Sequence, residues 1–128
     1  MGQASALREW NSIERGVTSV ITEVECLRTI DRLRLERLFD EAELAERRAA
    51  LSTLLRSAEI VELSSPILHR ASQPLPVTVS TLDALHLATA LQWRDFFSID
   101  LVMATHDARL GLASRAMGLE VVGVNTSY

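Results

Sequence analysis

"LVMATHDARLGLASRAMGLEVVGV", residues 101–124, reads as strand, helix, strand. "LVMAT" (101–105) is a short apolar run of strand length, and "DARLGLASRAM" (107–117) has helical periodicity. Gly118 stands at the C′ position that closes such a helix, and "EVVGV" (120–124) is a second apolar run. The same alternation runs upstream. "VTS" (17–19) leads into the helix "VITEVECLRTIDR", which Ser19 can cap and whose Val20, Val24 and Leu27 form an i, i+4, i+7 stripe. Residues 33–58 are charged but strongly helical, with Leu38, Ala42, Ala45 and Ala49 on one face and Glu43–Arg47 as an i, i+4 pair. "EIVEL" (59–63) is a strand candidate, and "SSPILHRAS" is a capped short helix with Pro66 in its first turn. "QPLPVTVS" is an ordered loop before the apolar helix "STLDALHLATAL" (80–91), and residues 5–14 suggest a further short helix. Alternating strands and helices predict an α/β fold with a mainly parallel sheet and helices on both faces. Sites in such sheets gather beyond the carboxyl ends of the strands, here after Ser19, after Thr105 and after the last strand.

The whole chain, 1–128, reads as a single domain, without repeat, low-complexity tract or linker. Its 48% apolar and 23% charged residues suit a folded core. No apolar run is long enough to cross a bilayer, and the first twenty residues lack a signal-peptide pattern. One cysteine, Cys26, excludes an internal disulfide framework and fits a reducing cytoplasm. The net charge of −4 argues against broad non-specific binding to nucleic acid, though not against a local basic patch. All thirteen basic residues are arginine. Mechanisms that require a lysine, such as P-loop phosphate binding or Schiff-base chemistry, are excluded.

Asp83 lies in the first turn of the 80–91 helix, and Asp107 follows the strand "LVMAT" at the start of the next. Each position favours a carboxylate through the helix dipole, by about 0.3–1 kcal/mol, so each can be a purely structural residue. Glu23 and Glu25 sit two residues apart on the helix after Ser19 and diverge by about 200°, so periodicity does not choose between them.

The segments "VTSVITEVECLR", "STLDALHLATAL" and "LVMATHDARLGLASRAMGLEVV", in this order, resemble the PIN-domain family, particularly the VapC-type toxins of bacterial toxin–antitoxin pairs. The resemblance runs from about Ala6 to Val124. It implies a three-layer, Rossmann-like α/β fold. Ser19, Thr22 and Glu25 match the family's S-x-x-[TS]-x-x-E pattern, which selects Glu25 over Glu23. Asp83 matches the acid of "DALHLA", and Asp107 the acid after the penultimate strand.

By resemblance, Glu25, Asp83 and Asp107 are the catalytic residues and the ligands of Mg²⁺ or Mn²⁺. The chemistry is coherent, because clustered carboxylates repel one another unless a cation sits between them. Hard divalent ions take oxygen ligands and activate water for phosphodiester cleavage. The implied function is a metal-dependent ribonuclease, the toxin of a toxin–antitoxin pair, with RNA as substrate, an antitoxin as partner and a homodimer as its assembly. The other reading is a catalytically weakened PIN-like module that binds an antitoxin or RNA without cutting it.

His86 is read as a satisfied core residue and His106 is given no role. Arg28 and Arg109 lie near the acids and are weak candidates for an RNA backbone. Trp10, Trp93, Phe96 and Phe97 read as core or oligomer contacts. Ile67, Leu68 and the "WRDFFSID" corner are expected to be exposed and to serve partners.

Family members open on an apolar strand that ends in an aspartate followed by small hydroxylated residues. This chain opens "MGQASALREW", and "SALREWNSIERGVTS" aligns with the later part of the family's first helix. The opening strand and its acid are then missing from the pattern, one of four expected acids. A second alignment puts "QASAL" on the motif with Gln3 in place of the aspartate. It leaves too few residues before Ser19 for the usual first helix, so the first alignment is preferred.

Overall fold

The structure, a computed structural model, describes residues 16–124. The helix expected over 5–14, Trp10, Gln3 and the question of an opening strand all lie outside the described residues. The elements run β1 (Gly16–Ser19), α1 (Ile21–Leu35), α2 (Glu41–Ser57), β2 (Ala58–Val61), α3 (Ser65–Ala71), α4 (Thr81–Phe97), β3 (Val102–Ala104), α5 (Ala108–Ala116) and β4 (Glu120–Val122). The α/β alternation is as expected. β1 pairs with β2 and β3 with β4, both in parallel, Gly16 opposite Ala58 and Val102 opposite Glu120. The chain falls into two compact units, 16–62 and 63–124 among the described residues.

In the unit 16–62, α1 and α2 pack through buried Ile30, Leu44 and Leu51, with Cys26, Leu33, Phe39 and Leu55 around them. This corrects two expectations. On α1 the stripe Val24 and Leu27 is exposed, at 59% and 43%, and the inward face is Cys26, Ile30 and Leu33. On α2 the inward residues are Leu44 and Leu51, while Leu38, Ala42, Ala45 and Ala49 are exposed. The helical stretch 33–58 is also broken. Arg37 adopts a left-handed φ of 54°, and Asp40 starts a new helix with a capping box. Its carboxylate accepts from Glu43 N–H, and the Glu43 carboxylate accepts from Asp40 N–H. The N-cap of α1 is Val20, and the Ser19 hydroxyl accepts from Ile21 N–H at 3.3 Å.

In the unit 63–124 the core is Leu87, Leu91, Leu110, Ala113 and Leu119, contributed by α4, α5 and the turn into β4. Ile67 of α3 is buried and Leu68 exposed, which corrects the expectation that both face outward. Thr89 and Ser114 are buried too. Their hydroxyls donate to the carbonyls of Leu85 and Leu110, so neither enters the apolar interior unsatisfied. α5 lies close on β4 at Gly111, where a Cβ would stand 3.0 Å from Val124 Cγ2 and 3.3 Å from Val121 Cγ1. Gly118 closes α5 with a φ of +90°, the C′ conformation expected of it.

At the far end of α4, Trp93 and Phe97 are tilted against each other at 4.5 Å, and Phe96 meets Phe97 edge-on. Phe96 is 77% exposed, so the core reading fails for it and for half-exposed Phe97; Trp93 is half-buried. Arg94 and Arg70 both bind Asp95, at 2.9 and 2.7 Å, and Arg94 also donates to the Met117 carbonyl. These bonds tie α3, α4 and the end of α5 together.

Candidate active site

Asp83 and Asp107 belong to one unit, each at the N-terminus of a helix. Ser80 starts α4, and its hydroxyl accepts from Asp83 N–H at 3.2 Å. Ser80 itself is extended, with φ −64° and ψ 162°, as an N-cap residue should be. Asp83 is therefore the third residue of α4, half-buried, and His86 is half-buried one turn on. Asp107 is itself the N-cap of α5. Its Oδ1 accepts from Leu110 N–H at 2.9 Å, and its own N–H donates to Thr105 Oγ1 at 3.0 Å. Both carboxylates stand where the helix dipole favours negative charge.

Glu25 belongs to the other unit, on α1. It is half-buried beside the inward-facing Cys26, whereas Glu23 is exposed. Periodicity left the two glutamates equivalent, and their exposure differs. Burial raises the Cys26 thiol pKa, and the negative charge of Glu25 adds to the effect. Upstream of Glu25, the Thr18 and Thr22 hydroxyls share a 2.7 Å hydrogen bond.

All three acids offer hard oxygen donors, the kind that Mg²⁺ and Mn²⁺ take. Within either unit, the described residues hold no group of three or more His, Cys, Asp and Glu that could bind an ion. Arg109 is engaged, its Nε–H donating to the Thr78 carbonyl at 2.8 Å, which fixes the start of α5 to the loop before α4. Arg28 is exposed on α1 and lines a shallow hollow with Leu27, Asp31, Arg32 and Leu35. His106 Nδ1 lies 3.1 Å from the Gly123 carbonyl oxygen, a contact across seventeen residues that no local pattern announces.

No helix of the described residues is long and apolar enough to cross a membrane. A family model described as PIN domain matches residues 2–111, most of the chain and parts of both units. No curated protein and no solved structure matches it.

Proposed function

The chain belongs to the PIN-domain family, whose members are generally nucleases that act on nucleic acid with divalent metals, and we propose that it is a metal-dependent endoribonuclease, the toxin of a VapC-type toxin–antitoxin pair. The observation that carries this reading is the position of Asp83 and Asp107 in one unit. Asp83 lies in the first turn of α4 and Asp107 caps α5, and each matches a family acid. Glu25, half-buried on α1, is the third member by motif. Because the family match runs through both units, we read them as parts of a single PIN-like domain.

Glu25, Asp83 and Asp107 would hold Mg²⁺ or Mn²⁺. A divalent ion bound by such carboxylates supplies Lewis acidity and an activated water for phosphodiester hydrolysis. The rest of the work falls to the chain. The Leu110 N–H and the Thr105 hydroxyl set the orientation of Asp107, and the Ser80 cap sets the start of α4 and so the height of Asp83. The start of α4 favours the negative charge of Asp83, and the start of α5 that of Asp107.

A second copy and an antitoxin are the partners we assign, acting in the cytoplasm. The exposed apolar side chains of α1, Val24, Leu27 and Leu35, and the Phe96–Phe97–Ile99 corner support a partner role. The test is RNA cleavage by the full chain with Mg²⁺ or Mn²⁺, beside the same assay on Asp83→Asn. Metal-dependent cleavage lost in the variant is the expected result. RNA or antitoxin binding with no cleavage at all would select the weakened-module reading instead.

A further inference from the structure

β3 and β4 continue past their last paired residues into a tightly held corner. Thr105 N–H donates to the Val122 carbonyl at 3.1 Å, and His106 Nδ1 lies 3.1 Å from the Gly123 carbonyl oxygen. A carbonyl oxygen only accepts, so Nδ1 must carry the hydrogen. In the neutral ring Nε2 then holds the lone pair and is an acceptor. His106 is exposed, and among the described residues Nε2 has no hydrogen-bond partner.

The corner is specific in its demands. Gly123 has a φ of +94°, and a Cβ there would stand 2.6 Å from the Thr105 carbonyl oxygen. Only glycine fits both conditions. The result is an exposed imidazole held in one orientation, next to Asp107 in sequence and just past the carboxyl end of a parallel strand.

We propose that His106 is a substrate-contacting residue whose Nε2 accepts a hydrogen bond from the nucleic acid, either from a ribose 2′-hydroxyl or from a base N–H. In the neutral ring this nitrogen has no hydrogen to give, so a phosphodiester oxygen, which only accepts, does not satisfy it. Tying the two strands together uses Nδ1 alone and leaves the outward presentation of Nε2 unexplained. The inference rests on the ribonuclease reading above and adds to it a residue that discriminates between nucleic acids.

The test compares the parent chain with His106→Asn and His106→Gln. Asparagine can keep the bond to Gly123 but places no atom where Nε2 was; glutamine restores an acceptor near that place. Binding is measured to a short single-stranded RNA and to DNA of the same base sequence, uracil included. The buffer is slightly alkaline, with Ca²⁺ in place of Mg²⁺ to hold back cleavage. His106→Asn should weaken RNA binding about three- to tenfold, the worth of one net hydrogen bond, without lowering Tm. His106→Gln should recover part of the loss. A loss confined to RNA identifies the 2′-hydroxyl, and an equal loss on RNA and DNA identifies a base N–H. Parent-like binding of both by His106→Asn overturns the inference and leaves the ribonuclease reading standing. A parent chain that binds neither overturns that reading and the inference with it.

Discussion

Asp107 has a structural task and a proposed chemical one, and two substitutions separate them. Asparagine caps a helix about as well as aspartate, so Asp107→Asn should leave Tm close to that of the parent. Its divalent-metal affinity should fall at least about tenfold, since a charged ligand is lost. Asp107→Ala removes the bond to Leu110 N–H as well and should cost about 0.5–2 kcal/mol in thermal unfolding. Unchanged metal titration in Asp107→Asn would reduce the residue to a cap. Asp83→Asn makes the parallel case, with weaker divalent-metal binding in the same titration. Both aspartates were legible in the sequence, because a helix start is a local signal and each acid also falls within a family motif. Glu25 was legible only through its motif. What separates it from Glu23 is the packing of Cys26 and Ile30 against α2, which a single helix's periodicity does not contain.

At the scale of elements, α1 shows why the wrong face was expected inward. Val20, Val24 and Leu27 make one apolar stripe, and Cys26, Ile30 and Leu33 make another at a different angle. The choice falls to α2, whose Leu44 and Leu51 meet the second. The break at 36–40 was more readable. Asp40 followed by Glu43 is a capping-box pattern, and only the strong helical character of both flanks hid it. α4 was the plainest element, since an apolar helix has few ways to be placed. Leu87 is fully buried in its core, so Leu87→Ala should cost about 2–5 kcal/mol in urea unfolding.

The Arg70–Asp95–Arg94 cluster behaves differently from that core. The hydrogen bond from Arg94, then that from Arg70, hold the Asp95 carboxyl below the usual carboxylate range. A depressed folded-state value stabilises the fold above the ordinary carboxylate pKa and loses that effect as pH falls through the lower value. Asp95→Asn should therefore melt below the parent at neutral pH. The gap should close below about pH 4 and narrow in high salt, as expected of an exposed pair.

Over the whole molecule, stability is unevenly invested. The unit 63–124 gathers five buried core residues along α4, α5 and the approach to β4, while the unit 16–62 has three between two charged helices. Hydrogen exchange of the intact chain should find the slowest amides around Leu87 and Leu91 and faster exchange along α1 and α2. Equal protection in the two would contradict this distribution of core. The parallel pairing of the strands was legible from their alternation with helices, but the close seat of α5 on β4 was not, because it depends on a residue with no side chain. Gly111 acts as a spacer of zero thickness. A methyl group there improves the intrinsic helix propensity by about 1 kcal/mol, yet it wedges against Val121 and Val124. Between those two valines lies Gly123, whose carbonyl aims the His106 ring. A Gly111→Ala chain can thus keep its melting temperature and still blur its discrimination, as an instrument goes out of alignment when a shim is slipped under its mount.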